Sequence, residues 1–158
     1  MRLRRLAVAA FATALSVGAA HAITVHRSVT VEGIPRLVWL DIGGFCGIDD
    51  WHPAVADCTD KRADGVLQRT LSLEGGGTII ENQTDHDGLS YSYEIVESPL
   101  PVENYHSTFK VSQSGDATTI DWWGWFDAKG ATDAEAAAVI GGIYEAGLNG
   151  IVEDRTGK

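Results

Sequence analysis

Arg69 and Glu81 are the residues of this chain whose type and setting most invite chemistry. Each falls in a stretch that alternates as a strand does, on the side that also carries apolar residues: Leu67 and Leu71 for Arg69, Ile79 for Glu81. Gly75-Gly76-Gly77 separates the two stretches, so pairing them as a hairpin would turn both charges to one face. A charge in an apolar space is expensive unless it is paired. The functional reason to keep one there is a polar anchor for a ligand's carboxylate or hydroxyl, since small-molecule pockets are mostly apolar with a few polar groups. A register one residue out would instead turn both side chains to water. His52, within Trp51-His52-Pro53, is the other titratable candidate. An imidazole can act as acid or base near neutral pH, but a histidine beside a buried Trp reads equally as a satisfied structural group. Glu81 and His52 are therefore the two acid–base candidates. The sequence has no Gly-x-Ser-x-Gly, no Gly-rich phosphate loop and no metal-ligand spacing, so no cofactor and no metal is expected. That does not exclude an enzyme, because ring closure or dehydration needs mainly a shaped pocket and one or two acid–base groups.

The elements that must hold these residues change period along the chain. Ile23 to Val31 alternates and is rich in β-branched residues. Pro35 then suits a helix start, with Leu37, Val38, Leu40 and Ile42 on its apolar side, and Gly43-Gly44 ends it. A second short helical turn is expected around Ile48 to Trp51. From Val66 onward the pattern is one of strands: Val66–Leu73, Thr78–Thr84, Leu89–Ile95, Glu103–Val111 and Ala117–Asp127, with Asp87-Gly88 a strong hairpin signal. In the last of these Ile120, Trp122 and Phe126 share one side and Trp123 and Trp125 the other. His86 and His106 read as solvated. Thr132 to Glu153 is a long helix opened by a Thr132/Glu135 capping box, with a stripe through Ala136, Val139, Ile140, Ile143, Gly147, Leu148 and Ile151. Gly141, Gly142 and Gly147 within it read either as close packing against backbone or as a helix kept thin beside a cavity. Hairpin connections imply an antiparallel sheet, and its apolar face needs the final helix as cover. The expected fold is α+β, a curved antiparallel sheet of about seven strands around a long C-terminal helix, with two short helices after the first strand.

Residues 1–22 read as a secretory signal: Arg2, Arg4 and Arg5, an apolar run from Leu6 to Ala20, and the small-x-small site Ala20-His21-Ala22. Its style is bacterial, which points to the periplasm or the outside. Cleavage near Ala22 leaves residues 23–158 as one domain. Of the 12 basic residues three lie in the leader, so against 22 acidic residues the mature net charge is −13. That charge argues against nucleic acid or an anionic membrane as partner, and no other segment is apolar enough for stable membrane insertion. Cys46 and Cys58 are the only cysteines; in an exported protein one disulfide is the default, and closing so short a loop contributes about 3 kcal/mol. A redox pair or metal site is the alternative, without a C-x-x-C to support it.

The order strand, two short helices, strands and long helix resembles the helix-grip fold of the START and birch-pollen-allergen (SRPBCC) superfamily, and within it the polyketide cyclase/dehydrase family. The matching stretches are Trp51-His52-Pro53-Ala54-Val55, Arg69-Thr70-Leu71, Gly76-Gly77-Thr78, Tyr91-Ser92-Tyr93, Pro99-Leu100-Pro101-Val102 with Tyr105, Ile120-Asp121-Trp122 with Phe126, and the Tyr144–Leu148 part of the helix. The resemblance implies a hydrophobic cavity between the concave sheet and the helix. Tyr93, Tyr105, Ser107, Trp122 and Phe126 would wall it, with Ile143 and Gly147 from the helix; taken alone, such an aromatic stripe reads as plain core. Plant abscisic acid receptors look similar at Leu73–Thr78, where they carry a gate loop, and at Ser98–Glu103, where they carry a latch. Gly75, Gly76, Gly77, Pro99, Leu100 and Pro101 would then flank an entrance. Three glycines replace the gate signature and the latch's His-Arg-Leu is absent, so the resemblance does not extend to a hormone-type switch.

Three functions follow. The first is an exported binding module for a small hydrophobic or amphipathic ligand, anchored by Arg69 and Glu81. The second is a cyclase- or dehydratase-like enzyme in the same cavity, with Glu81 or His52 as acid–base group. The third is a domain that holds no ligand and pairs through Trp123 and Trp125. A monomer or weak homodimer is expected.

Overall fold

The computed structural model describes residues 22–157, and the predicted leader, apart from Ala22, lies outside them. Strand β1 (Ile23–Glu32) leads into helix α1 (Pro35–Ile42) and a single 3-10 turn (Gly47–Asp50). Strands β2 (Val55–Ala63), β3 (Val66–Leu73), β4 (Thr78–His86), β5 (Ser90–Glu97), β6 (Val102–Ser114) and β7 (Ala117–Ala128) follow, and helix α2 (Asp133–Thr156) ends the fold. The seven strands form one antiparallel sheet in the order β1-β7-β6-β5-β4-β3-β2. Successive hairpins build six of them, and β1 closes onto the last, with Ile23 opposite Phe126. The result is an α+β, helix-grip layout: a curved sheet around a long C-terminal helix.

Period-2 alternation does its work in β5, β6 and β7. Tyr91 and Tyr93, then Tyr105, Ser107, Phe109 and Val111, then Ile120, Trp122 and Phe126 are buried, while their neighbours reach outward. Of the outward tryptophans Trp125 is 46% exposed, and Trp123 is half-buried. His106, expected to be solvated, is half-buried, because the Trp125 ring stacks on it with centroids 4.2 Å apart.

Helix α2 opens with the expected capping box: Thr132 Oγ1 accepts from the Glu135 N–H (3.3 Å) and Glu135 Oε2 from the Thr132 N–H (2.8 Å). It ends three residues beyond the predicted Glu153, at Thr156, and is capped by Gly157, which takes the left-handed φ of +66°. The inward face is turned by a few tens of degrees from the sequence stripe: Val139 is exposed and Tyr144 is buried. Ile140, Tyr144, Leu148 and Ile151 are the residues spaced to meet the sheet.

The helix glycines resolve into two kinds. A Cβ on Gly147 would lie 2.6 Å from His52 and 2.8 Å from Trp122, and Gly141 receives the Arg27 guanidinium in the same way. Gly150, which the stripe did not single out, abuts the Trp51 carbonyl. Gly142 faces open space. Gly147 therefore serves close approach of α2 to the Trp51–His52 corner.

Cys46 and Cys58 form a disulfide with Cα atoms 5.5 Å apart, tying the 3-10 turn to β2. No helix among the described residues is long and apolar enough to cross a membrane.

Candidate functional site

Between the concave face and α2 lies a cavity of about 230 Å³, just below the ~300–1,000 Å³ usual for small-molecule pockets. It sits where α2 draws away from β3, β4 and β5. Most of its wall is aliphatic, including Ile48, Leu71, Ile79, Ile95 and, from α2, Ile140 and Ile143.

The polar groups enter by register. Arg69 on β3 pairs directly with Glu81 on β4, and both point inward, 0% and 5% exposed. Arg69 Nε donates to Glu81 Oε2 at 2.6 Å, Nη1 donates to the Phe45 carbonyl, and the guanidinium lies 4.2 Å over the Phe45 ring and 5.0 Å from that of Tyr93. Arg69 Nη2 is buried and finds no hydrogen-bond partner among the described residues. Burial alone would lower the Arg69 pKa, but the Glu81 carboxylate and neighbouring phenols outweigh it and hold the cation firmly charged. For Glu81, burial pushes the carboxyl above its ordinary range, and Arg69 limits the rise.

Beside this pair runs a line of hydroxyls whose direction can be derived. Trp122 Nε1, which can only donate, gives to Tyr93 Oη at 2.9 Å. At the other end Ser107 Oγ donates to the Trp123 carbonyl at 2.8 Å. With that proton committed, Ser107 accepts from Tyr144 O–H (2.9 Å), and Tyr144 in turn accepts from Tyr105 O–H (2.5 Å). Tyr93 stands 3.5 Å from Tyr105, too far for a firm bond, so its proton is the one in the line left uncommitted. Tyr93 and Arg69 both line the cavity. The site thus offers two unspent donors, a buried guanidinium N–H and a phenol O–H. Burial raises the pKa of all three tyrosines in the line, so they remain protonated donors at neutral pH.

His52 also lines the cavity, but both ring nitrogens are taken. Ala54 N–H donates to Nδ1 at 3.1 Å, so Nε2 carries the proton and donates to the Ile143 carbonyl at 3.0 Å. Burial lowers its pKa, and hydrogen bonding to the Ile143 carbonyl and to its own backbone offsets this in part. Both nitrogens are thus engaged with backbone in this geometry.

Of the residues expected to wall a pocket, Arg69, Glu81, Tyr93, Tyr105, Trp122 and Ile143 meet at the cavity. Ser107, Phe126 and Gly147 do not: Ser107 lies behind Tyr144, Phe126 stacks on Tyr105, and Gly147 is filled by His52 and Trp122. Of the expected entrance residues, Gly75, Gly76 and Leu100 reach the cavity, and Gly77, Pro99 and Pro101 stand back from it. The two loops touch, since a Cβ on Gly77 would lie 3.8 Å from Pro99 Cγ. Sequence reasoning missed the roles of Tyr144, Phe45 and Gly124. Tyr144 stacks on Trp122 at 4.5 Å, and a Cβ on Gly124 would collide with its hydroxyl. The signal for Tyr144 was its place four residues from both Ile140 and Leu148. Among the described residues no group of three or more His, Cys, Asp or Glu side chains could hold a metal ion.

Fold and site together define a helix-grip domain with an internal, largely apolar cavity. Residues 22–154 match the model of the family described as polyketide cyclase / dehydrase and lipid transport, and the chain belongs to that family. No curated protein matches the sequence. Among solved structures it is similar to the protein XoxI from Bacillus cereus, at 33% identity over 81% of this chain and 92% of that one (TM-score 0.74). An uncharacterized protein from Bacillus thuringiensis is 31% identical over 84% of this chain and 98% of that one (TM-score 0.78). The Zhui aromatase/cyclase from Streptomyces sp. R1128, 18% identical over 86% and 94% (TM-score 0.69), shares the fold.

Proposed function

We propose that this protein is an exported binding protein for a small hydrophobic or amphipathic molecule held between sheet and α2. The observation that carries the reading is the pair of uncommitted donors, Arg69 Nη2 and Tyr93 O–H, in an otherwise apolar cavity. A buried N–H without a partner costs about 1–3 kcal/mol, and a ligand oxygen would remove that cost. The ligand class is therefore an apolar body bearing an acceptor oxygen, a carboxylate or a carbonyl. Gly75–Gly77 and Pro99–Pro101 flank the entrance, and the first 22 residues direct export and are removed. The domain of residues 23–158 works as a monomer or weak homodimer. Nucleic acid is not its partner, given the acidic mature chain.

Native mass spectrometry of the protein recovered from the periplasm of its producing cell tests this. The expected spectrum has a chain beginning at Ile23 plus a small organic mass that denaturation releases. A bare chain contradicts the binding reading, and a chain retaining residues 1–22 contradicts the export reading.

Turnover in the same cavity is the second reading, favoured by the family and by a Glu81 carboxyl that burial makes more basic. Glu81→Gln would then abolish product formation from the released molecule. A pure binding protein forms no product in either version.

A further inference from the structure

We propose that the Cys46–Cys58 disulfide, acting through Phe45, positions Arg69, so that reduction by a dithiol withdraws the polar anchor while leaving the cavity's apolar walls in place. This rests on the cavity being a ligand site.

Arg69 has three nitrogens, and two of them are tethered. Glu81 on the neighbouring strand holds Nε, and the Phe45 carbonyl holds Nη1, with the Phe45 ring against the guanidinium face. A planar guanidinium fixed at two nitrogens has its third fixed as well, and this is the uncommitted Nη2. Glu81 sits within the sheet, but Phe45 belongs to no helix or strand. It precedes Cys46, whose disulfide partner Cys58 pairs in β2 with Leu71, two residues from Arg69 on the same face of β3. The bridge is therefore a short covalent path from the strand layer bearing Arg69 to the segment that orients it.

The closed loop divides into two halves with different supports. Its second half is held by α2 and the sheet: His52 donates to the Ile143 carbonyl, and Trp51 stacks on Phe109 at 5.5 Å. Its first half is held by the disulfide, by the Cys58 N–H to Asp49 Oδ2 bond at 3.1 Å and by buried Ile48, and Phe45, just ahead of the loop, sets its ring edge-on to Tyr91 at 5.3 Å. Both cysteines are half-buried and thus within reach of a reductant. In the exchange a dithiol gives two electrons and two protons, becomes a disulfide itself and leaves Cys46 and Cys58 as thiols. The first half then loses its covalent tie, and the Phe45 backbone, left with its ring packing on Tyr91, no longer holds its carbonyl fixed on the guanidinium.

The test uses matched probes, 1-naphthoate and naphthalene, with the mature chain before and after reduction. Titrations are read by fluorescence, and the Arg69 Nε–H resonance by NMR. Reduction should weaken 1-naphthoate at least roughly tenfold, in line with loss of a charged hydrogen bond, change naphthalene by less than about twofold, and broaden or shift the Arg69 signal. Cys46→Ala/Cys58→Ala should behave as the reduced protein does. Equal weakening of both probes, or loss of the folded spectrum on reduction, would show a merely structural bond and overturn the proposal. If neither probe binds the oxidised protein, the ligand-site reading fails instead. The Arg69 resonance still decides the positioning, an unchanged signal on reduction refuting it.

Discussion

Tyr91, Tyr93, Tyr105 and Tyr144 are the chain's only tyrosines, and every one is at most 4% exposed. Burial raises each phenol's pKa above its ordinary value. The folded protein therefore holds these protons more tightly than the unfolded chain, whose tyrosines titrate near pH ~10. The stability this confers is fully present below that pH and is lost as pH rises through the folded values. In an alkaline titration the phenolate absorbance should stay flat near pH ~10 and then rise for all four groups together with the loss of folded circular dichroism. A tyrosine that ionises near its ordinary value while the fold persists would contradict the buried hydroxyl line. His52 adds the opposite slope at the acid end: its lowered pKa means the unfolded chain takes up a proton first, so stability falls as pH drops below ~6.5.

At the scale of elements, α2 carries a matched experiment in its glycines. Gly147→Ala must push aside His52, Trp122 and Trp51, and should lower the stability by about 1–3 kcal/mol. Gly142→Ala meets open space and should raise it by roughly 0.5–1 kcal/mol through helix propensity. Urea midpoints of the two variants moving in the same direction would refute this account of the helix seat. The same helix shows what could be read from sequence and what could not. Its capping box rests on contacts three residues apart, and so does its existence, which is why both were legible. Its rotation about its axis is set by the partners it packs on, and an error of a few tens of degrees exchanged Tyr144 for Val139. The strands behaved likewise. Alternation and the glycine turn could bring Arg69 and Glu81 to one face but left a one-residue slip open, and their direct pairing appears only in the fold. Phe45 lies outside any periodic element, and nothing in its neighbours' spacing reveals that its carbonyl meets Arg69. The direction of the hydroxyl line depends on Trp122 and Trp123, residues from one strand whose side chain and carbonyl act at opposite ends. Only coordinates show that.

For the whole molecule, the cavity follows from how α2 is seated. Gly141, Gly147 and Gly150 let it approach Arg27 and the Trp51–His52 corner closely, while toward β3–β5 the aliphatic side chains do not fill the remaining space. The two charged residues admitted to that space are paired with each other, which limits the cost of burying them and leaves donors unspent. The central claim is that a small apolar molecule with an acceptor oxygen occupies this space. It is tested most directly by titrating 1-naphthoate into methyl-labelled mature protein and following isoleucine methyls by NMR. The account predicts saturable shifts and intermolecular contacts at Ile79, Ile95 and Ile143, with Ile34 on the exposed surface unmoved. Saturating shifts confined to surface groups, or none at all, would contradict it.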